Sequence, residues 1–346
     1  MANQLLHCHI LVRGMGSGKV ADAPHLPALE AMVGLARRTE VQSVDADGWL
    51  CRFFGVERQH DWPVAPYSCM GDGLDPEKAY WLCADPVHFH LMRDHFTLVD
   101  SSRFDLTQDE SQQYATALNA HFGVDGIRFF APSAKRWYLQ LQDDPGITTH
   151  ALAVAIGQDI QELLPQGNHA GKWKSVLNEA QMLLHELSTN QQREDRGELP
   201  VNSFWLWGGG MLRQIPNPDV TGIWAGDALT RGLSLAGGRT ADPVPSSCQK
   251  WLEHELGKAG GKHLLVLDAP EQGDLRGDFV GWGEALVHLE QHWFSPLLQA
   301  MKNGQLTGVH LHLAGTQRVT SFRLTRGDLW KFWRRPKSLG LALPED

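Results

Sequence analysis

The feature that most restricts the fold of this chain is a short apolar run that lies between a proline and a glycine cluster. Pro200 precedes residues 201–207, and residues 208–210 are all glycine. Aromatic and β-branched residues between such breakers predict a buried β-strand that ends in a tight loop. In an open α/β sheet, ligands bind beyond the carboxyl ends of the strands, where helix N-termini and backbone N–H groups meet. The run therefore predicts either a ligand-binding loop or an ordinary core strand followed by a turn.

Strands and helices alternate along much of the remaining sequence. Short β-prone runs lie at residues 9–12, 263–268, 308–313 and 319–324. Longer runs with apolar residues at helical spacing lie at residues 27–38, 172–187 and 282–301. This alternation predicts a mainly parallel sheet with helices on both faces, an α/β fold.

Residues 85–165 differ in texture from the sequence on either side. A predicted hairpin falls inside this segment, and so does a helix that opens on the capping box of Thr107 and Glu110. We therefore predict a smaller α+β subdomain over residues 85–165, inserted into a core formed by residues 1–84 and 166–346.

The composition excludes several kinds of partner. A formal net charge of −9 and a pI near 6.0 argue against nucleic acid, because phosphate binding needs a basic field. No apolar stretch approaches the roughly 20 residues that span a bilayer, and the N-terminus lacks the pattern of a signal peptide. The five cysteines are scattered without a CxxC spacing, as in reduced cytosolic proteins. We expect a soluble, cytoplasmic protein that binds neither nucleic acid nor membrane.

The glycine-rich residues 13–20 look like a nucleotide-binding P-loop, but their spacing does not fit. Gly18 and Lys19 would require glycine at position 13 and serine or threonine at position 20, where the chain has Arg13 and Val20. Without that hydroxyl group, a Mg²⁺-nucleotide site lacks a ligand. The sequence therefore does not predict a nucleotide site.

A longer pattern surrounds the apolar run. An Asn-x-x-Arg motif at Asn190 and Arg193 precedes it, and the run itself contains Asn202 and ends with Trp207 ahead of the glycines. This order resembles the cofactor-independent phosphoglycerate mutases of the archaeal type, and Arg136 falls in a run that resembles the Tyr-Arg-His strand of that family. Bacterial proteins described as phosphoglycerate mutase or as regulators of pathogenicity factors are similar as well. The resemblance implies the fold of the alkaline phosphatase superfamily, with a three-layer α/β/α core, a mainly parallel sheet and a smaller inserted domain.

The chain departs from this family at the positions that hold its metal ions. The resemblance implies two divalent ions, bound by Asp and His, and a serine that carries the phosphoryl group. Arg13 stands where the family has its first metal-binding Asp, and Leu275 replaces a metal-binding His. The Asp-His pair of a later strand falls at residues 315–316, which are Gly-Thr, and only Ser43 and Ser68 are candidates for the nucleophile. The sequence thus predicts that the two-metal site is absent.

A cleft for a small phosphorylated or carboxylate ligand is a further prediction. Guanidinium groups bind phosphate and carboxylate through paired hydrogen bonds. The candidate residues for this cleft are Arg13, Arg136, Asn190, Arg193, Asn202, Trp207, Gly208 and Gly210. Taken singly, each of these arginines is also compatible with an ordinary surface position.

Histidines at alternate positions offer a relocated metal site. The three His-x-His pairs are His7/His9, His88/His90 and His310/His312. Alternate residues of a strand point to the same face, so that each pair can present two imidazoles to one ion. A relocated site would use the pairs on the strands expected in one sheet, namely His7, His9, His310 and His312. A chain with 17 histidines also contains such pairs by chance.

Residues 330–337 combine aromatic and basic side chains. Such mixtures occur at membrane surfaces and in contacts with single-stranded nucleic acid. We expect instead that the apolar residues anchor a last helix to the core and that the charges are solvated.

The sequence leaves two hypotheses for the function. The first is a catalytically silent relative of the mutases that has no metal cofactor and acts as a regulatory or anion-binding protein. The second is an active metal-dependent phosphomutase or phosphatase with a rearranged, histidine-rich site. We favour the first, because the loss of every alignable ligand is hard to combine with two-metal chemistry.

Overall fold

The computed structural model describes residues 6–15, 23–93, 95–255, 260–331 and 333–343. The chain divides into two compact units. The first unit comprises Met1–Leu50, Asn217–Asp227 and Gly238–Asp346, and the second comprises Cys51–Pro216 and Ala228–Gly237.

The strands and helices are numbered in chain order. The strands are β1 (Leu6–Arg13), β2 (Arg37–Gln42), β3 (Tyr80–Leu91), β4 (Phe96–Asp100), β5 (Arg128–Ser133), β6 (Arg136–Leu141), β7 (Ser203–Met211), β8 (Gly222–Trp224), β9 (Gly261–Leu267), β10 (Leu306–Ala314) and β11 (Val319–Thr325). The helices are α1 (Pro27–Leu35), α2 (Ala46–Phe53), α3 (Val64–Gly71), α4 (Gln108–Phe122), α5 (Leu152–Ala155), α6 (Ala170–Glu186), α7 (Ser188–Asp195), α8 (Ala228–Ala236), α9 (Cys248–Glu255), α10 (Glu271–Arg276), α11 (Phe279–Leu289), α12 (Ser295–Lys302) and α13 (Leu339–Ala342).

The first unit contains a sheet with the strand order β2-β11-β10-β1-β9-β8. Strands β10, β1, β9 and β8 pair with one another in parallel, whereas β11 pairs antiparallel with both β10 and β2. The prediction of a mainly parallel sheet is confirmed for this unit. An antiparallel edge on a parallel sheet is common in folds of this kind.

The two faces of β1 have different compositions because successive side chains of a strand point to opposite faces. Cys8, Ile10 and Val12 are fully buried in an apolar cluster with residues of α1, α9, α11 and α12. His7 and His9 are half-buried on the opposite face. The helices thus cover one face of β1, and the histidines occupy the other.

The second unit contains an antiparallel sheet in the order β4-β3-β6-β5, and β7 also pairs with β3. An aromatic core that includes Tyr114, Trp137 and Phe204 packs this sheet against α4 and α6. Helix α4 begins with the predicted capping box, in which Thr107 accepts a hydrogen bond from the backbone N–H of Glu110.

The prediction for the glycines that follow the apolar run is wrong. Gly208, Gly209 and Gly210 lie within β7, which continues to Met211 and pairs antiparallel with β3 instead of joining a parallel sheet. A Cβ atom at position 209 would lie 2.7 Å from the Tyr80 hydroxyl oxygen. Gly208 has a φ of +65° and lies near a register shift in the pairing. Glycines inside a strand mark such bulges and close approaches, and here they do not form a loop.

The bounds of the units also differ from the predicted ones. Strand β3 continues without a break across the predicted boundary between residues 84 and 85, and its partner β7 lies in the segment assigned to the core. Residues 51–84 and 166–216 therefore belong to the second unit together with residues 85–165. Antiparallel pairing between segments that are distant in sequence leaves no signal in composition, which explains the difference.

Candidate functional site

Arg13 occupies the carboxyl end of β1 and is bound by two carboxylates. Its Nε donates a hydrogen bond to Oε1 of Glu271 at 2.8 Å, and its Nη1 lies 2.8 Å from Oδ1 of Asp47. Glu271 begins α10 after strand β9, and Asp47 lies in the first turn of α2. The side chain of Arg13 is only 11% exposed. A permanent cation is therefore held among carboxylates at the end of the central strand.

The backbone after β1 is fixed by close contacts. Gly14 has a φ of +76°, and a Cβ atom at this position would lie 2.5 Å from Cα of Glu271. The indole N–H of Trp282 donates to the carbonyl oxygen of Gly14 at 2.7 Å, and the N–H of Met15 donates to Ala314 at 2.8 Å. Glycine is required at position 14 by both conformation and space. The rest of the loop that looks like a P-loop, residues 16–20, lies outside the described residues.

The carboxylates around Arg13 interact strongly with one another. Burial and the neighbouring charge of Asp47 raise the pKa of Asp45 to about 6. Burial also raises the pKa of Glu271 and of Asp268, and the charge of Arg13 opposes both shifts. Burial would lower the pKa of the Arg13 guanidinium, yet Asp47 and Glu271 hold it well above its ordinary value. Arg13 thus supplies the positive charge that this carboxylate cluster requires.

The other positions at which the resemblance implies metal ligands or a nucleophile hold residues that are poorly suited to those roles. Leu275 is half-buried on α10, and Gly315 and Thr316 form a turn between β10 and β11. Ser43 is exposed after β2, whereas Ser68 is buried inside α3 of the second unit. A hydroxyl group inside a buried helix is poorly placed to attack a substrate.

Arg136, a predicted anion ligand in the second unit, is paired with a carboxylate of the protein. Its Nε and Nη2 lie 2.5 and 2.6 Å from the two oxygens of Asp72. The hydroxyl of Tyr138 donates to Asp72 at 2.8 Å, and Nη2 of Arg231 donates to it at 3.1 Å. Asp72 is therefore shared by two arginines.

Asn190 and Arg193 hold the segment that leads into β7. Both are buried, and Arg193 has no exposed surface. Oδ1 of Asn190 accepts hydrogen bonds from the Tyr114 hydroxyl at 2.5 Å and from the N–H of Val201 at 2.9 Å. Arg193 donates from Nε to the carbonyl oxygen of Leu199 at 2.9 Å and also pairs with Glu110. These partners favour a structural role for both residues.

Asn202 and Trp207 also bind groups of the protein. Asn202 exchanges two hydrogen bonds with the backbone of Phe89, at 2.7 and 3.0 Å. The indole N–H of Trp207 donates to Oδ2 of Asp85 at 2.8 Å, and burial raises the pKa of Asp85 to about 6. These contacts connect β3 to β7 and to the residue before it, so they explain Asn202 and Trp207 by their role in the fold. An anion cleft formed by this set stays a prediction.

Three of the four histidines predicted for a relocated metal site lie together on the sheet of the first unit. Strands β1 and β10 are parallel neighbours, and His9 lies opposite His310. His7, His9 and His310 each offer one ring nitrogen, and these three nitrogens all lie within 4.8 Å of one another. His312, the fourth candidate, is buried behind them, with Nε2 at 3.1 Å from Nδ1 of His9. Among the other pairs, His88 lies on β3, and its Nδ1 is 2.9 Å from the carbonyl oxygen of Pro200.

These imidazoles are in an environment that disfavours their charged form. Burial lowers the pKa of His9 to about 3 and that of His310 to about 4, and the neighbouring histidines contribute in the same direction. Burial also lowers the pKa of His7, and it lowers that of His312 to well below the ordinary range. The cluster is therefore neutral near pH 7, as metal-binding imidazoles must be.

A basic pocket that the sequence did not indicate lies elsewhere in the first unit. It has a volume of about 700 Å³ and is lined by Val33, Gly34, Ala36, Arg37, Arg38, Phe322, Arg334, Arg335, Lys337, Leu341 and Ala342. Its charged residues come from two segments about 300 residues apart in sequence, so that neither segment alone shows the pocket. We define these lining residues as the basic pocket.

The C-terminal run is anchored differently from the expectation. Trp330 and Trp333 are 78% and 66% exposed, whereas Leu339 and Ala342 of α13 are buried in the core of the first unit. Nη1 of Arg334 donates to the carbonyl oxygens of Leu35 and Ala36 at 2.8 and 3.0 Å, at the end of α1. The prediction that the apolar residues of 330–337 attach a last helix to the core is wrong for the two tryptophans, and the buried residues of α13 lie after this run. Among the described residues, no helix combines the length and apolarity that crossing a bilayer requires.

Known proteins that are similar to this chain share one description. A 2,3-bisphosphoglycerate-independent phosphoglycerate mutase of Methanosarcina acetivorans is 27% identical over 315 residues, which cover 83% of this chain and 78% of that protein. The chain is a relative of the cofactor-independent phosphoglycerate mutases. A mutase of Methanosarcina mazei is 29% identical to this mutase relative over 135 residues, 37% of the chain. The match spans about a third of that protein, 34% of its length. No protein-family model matches the chain.

One solved structure has a fold similar to that of this chain. The PH0037 protein of Pyrococcus horikoshii has a TM-score of 0.52 at 12% identity, over 93% of this chain and 88% of that chain. At this identity the likeness concerns the fold alone. The chain has a mixed α/β fold that is similar to that of the PH0037 protein.

Proposed function

We propose that this mutase relative does not carry out two-metal phosphoryl transfer and acts as a non-catalytic, anion-binding regulatory protein. The observation that carries the proposal is the position of Arg13. Where the resemblance places a metal-binding Asp, the chain holds a guanidinium between Asp47 and Glu271. A guanidinium has five donors and no acceptor, so it cannot coordinate a metal ion.

The charge of Arg13 also opposes a metal ion in its vicinity. Two unit charges 4 Å apart interact by about 4 kcal/mol at an effective dielectric constant of about 20, and a divalent ion doubles this repulsion. Asp47 and Glu271 are the carboxylates bound to Arg13, and its single positive charge compensates part of their negative charge. Two-metal catalysis needs ions that clamp both the attacking and the leaving oxygen, and this arrangement works against them.

The basic pocket supports the anion-binding part of the proposal. Arg37, Arg38, Arg335 and Lys337 are exposed around an apolar floor that includes Val33 and Phe322. The net charge of the whole chain is −9, so this local excess of cations is unusual for the molecule. Guanidinium groups suit phosphate and carboxylate, and the ligand class is a small phosphorylated or carboxylate anion.

An assay of turnover and metal content tests the proposal. Purified protein is incubated with 3-phosphoglycerate and, separately, with a phosphatase substrate, in the presence of Mn²⁺ or Mg²⁺. We expect no turnover above a no-protein blank, and no second equivalent of metal by elemental analysis. Stoichiometric binding of two ions together with mutase turnover would overturn the proposal.

The second hypothesis, an active enzyme with a histidine-rich site, is favoured by one observation. His7, His9 and His310 converge on the same face of the sheet. Under this hypothesis, turnover would appear with a transition metal and would disappear in a His9→Gln variant. Turnover that is independent of His9 would argue against both the histidine site and a silent protein.

A further inference from the structure

Three imidazoles from the neighbouring strands β1 and β10 converge on one face of the sheet. This face is opposite to the one that α1, α9, α11 and α12 cover. His7 and His9 alternate on β1, and the parallel register places His310 opposite His9. The ring centroid of His310 lies 4.9 Å from that of His7 and 4.6 Å from that of His9. Because β1 and β10 pair in regular register from His7 to Arg13, this convergence is fixed by the sheet and does not depend on a loop.

The spacing of the three side chains fits one ion. Their ligand atoms all lie within 4.8 Å of one another. A tetrahedral zinc ion with Zn–N bonds of about 2.0–2.1 Å holds its ligands about 3.4 Å apart. Small rotations of the imidazoles about their side-chain bonds are therefore sufficient for coordination, and three ligands leave a fourth position for water.

A second layer of side chains orients His9. Nδ1 of His9 lies 3.1 Å from Nε2 of His312, and Nδ1 of His312 lies 2.8 Å from the hydroxyl oxygen of Ser321. The rings of His9 and His312 are parallel to within 3°. Metal-binding histidines are usually held by a hydrogen bond at the other ring nitrogen, which fixes the tautomer and the ring orientation.

Gly308 makes room for the ring of His7. A Cβ atom at position 308 would lie 2.9 Å from Nδ1 of His7 and 3.0 Å from its Cε1. A side chain on this residue of β10 would push the His7 ring aside. The glycine therefore serves the position of His7 within the cluster.

Charged residues around the cluster act in both directions. Lys262 and Arg323 lie near enough to His7 and His310 to disfavour additional positive charge. Lys262 is paired with Asp219, whose carboxylate also acts on His9 and favours positive charge there. The balance requires ligands with high intrinsic affinity, and neutral imidazoles meet this requirement for Zn²⁺, Ni²⁺ and Cu²⁺.

We propose that His7, His9 and His310 form a binding site for one transition-metal ion, with Zn²⁺ as the expected occupant. His312 and Ser321 are positioning residues that act through His9. The proposal is independent of the proposed function, because a single ion on this face can stabilise the sheet without turnover.

The test measures metal binding by the full chain after it has been stripped with a chelator. Zn²⁺ is added in isothermal titration calorimetry, and Co²⁺ is added in parallel for its absorption in the visible range. We expect one Zn²⁺ per chain and the intense bands of tetrahedral Co²⁺. The double variant His7→Gln/His310→Gln is expected to bind Zn²⁺ at least about 100-fold more weakly and to lose the Co²⁺ bands.

Two matched double variants serve as controls. His88→Gln/His90→Gln removes a His-x-His pair from β3 in the second unit, and His288→Gln/His292→Gln removes an exposed pair whose rings are 4.3 Å apart. Both controls should retain one Zn²⁺ with unchanged affinity. Loss of Zn²⁺ binding in the His288/His292 control alone would overturn the proposal, since the ion would then bind at the exposed pair.

A variant that keeps every histidine distinguishes loss of the metal site from unfolding of the protein. Gly308→Ala should displace the ring of His7 and weaken Zn²⁺ binding by about tenfold or more, with far-UV circular dichroism unchanged. Wild-type affinity in Gly308→Ala and in the His7/His310 variant would contradict the site. Absence of Zn²⁺ binding by the wild type overturns the site and leaves the proposed function intact, whereas turnover with bound metal overturns the proposed function and leaves the site intact.

Discussion

Arg13 and Glu271 are 258 positions apart in sequence and are joined by a hydrogen bond of 2.8 Å between Nε and Oε1. The contact connects the end of β1 to the start of α10, which follows the neighbouring strand β9. A positively charged side chain of the protein thus lies at the carboxyl ends of the strands, where open α/β folds bind their ligands.

Replacement of Arg13 tests whether its charge compensates the carboxylate cluster. We expect Arg13→Asp to lower the free energy of unfolding by about 3–5 kcal/mol, because the variant leaves buried carboxylates without a counter-charge. Urea denaturation at pH 7 measures the loss. Added Mn²⁺ should stabilise the variant more than the wild type, since an ion that binds only the folded state stabilises it.

The control for this variant is Arg213→Asp. Arg213 is 58% exposed and pairs with Glu57 in the second unit, so that its loss should change stability by about 0–1 kcal/mol. An Arg13→Asp protein as stable as the control would show that the carboxylates do not depend on Arg13.

Asp85 should make stability depend on pH in the acidic range. Burial raises its pKa in the folded protein to about 6, from 3.8 in the unfolded chain. The folded state therefore binds the proton more tightly. The contribution of this group is fully present below about pH 3.8 and is lost as the pH rises through about 6.

The variant Asp85→Asn isolates this effect. Between pH 7 and pH 4 the wild type should gain up to roughly 3 kcal/mol relative to the variant. Urea denaturation at pH 7, 5.5 and 4 measures the difference, with the exposed Asp105→Asn as the control. Parallel pH profiles of the wild type and Asp85→Asn would contradict the prediction.

Arg193 and Arg196 share Glu110 but differ in burial, and this difference should decide their effects. Arg193 has no exposed side-chain surface, whereas the side chain of Arg196 is 47% exposed. We expect Arg193→Ala to cost about 3–5 kcal/mol of stability, because it removes the buried guanidinium that pairs with Glu110 and leaves the carbonyl of Leu199 without its donor. Arg196→Ala should change stability little, because solvent screens an exposed pair.

Thermal unfolding of the two variants side by side measures this contrast. If Arg193→Ala were as stable as the wild type and had instead lost affinity for pyrophosphate, Arg193 would belong to the anion cleft that the sequence predicts.

The basic pocket should bind a multivalent anion. Pyrophosphate at about 100 times its dissociation constant would stabilise the folded state by about 2.7 kcal/mol and raise the melting temperature. Arg335→Ala/Lys337→Ala should abolish the shift, since both residues line the pocket. NaCl at equal ionic strength controls for screening, and citrate distinguishes a carboxylate site from a phosphate site.

A double variant in the second unit provides the matched comparison. Arg58 and Arg213 are exposed basic residues outside the pocket. Arg58→Ala/Arg213→Ala should keep the full shift with pyrophosphate. An equal loss of the shift in both double variants would mean that the anion acts through general charge and not through the pocket.

The sequence identified most individual elements correctly, because local periodicity determines them. Strand β1 and helices α4 and α6 lie where the apolar spacing and the capping box of Thr107 place them. The parallel sheet of the first unit follows from the alternation of strands and helices. The sequence predicted that His9 and His310 lie in one sheet, but not that they lie opposite each other. Hydrophobic periodicity does not determine the order of the strands.

The candidate site was harder to predict, because its partners are distant in sequence. Nothing near Arg13 in the sequence indicates Asp47 or Glu271, and the pattern around Asn190 and Arg193 looks the same whether these residues bind a ligand or the backbone of their own segment. The pairing of β7 with β3 likewise depends on a partner more than a hundred residues upstream. Packing between remote segments supplies this information, and composition does not.

Strand β2 lies at the end of the six-stranded sheet. A terminal strand presents backbone groups that can recruit a strand from another molecule, and charged side chains oppose this association. Arg37, Arg38 and Glu40 of β2 are exposed. The same arginines that line the basic pocket therefore also protect the protein from self-association, and neutralising them should favour aggregation as well as weaken anion binding.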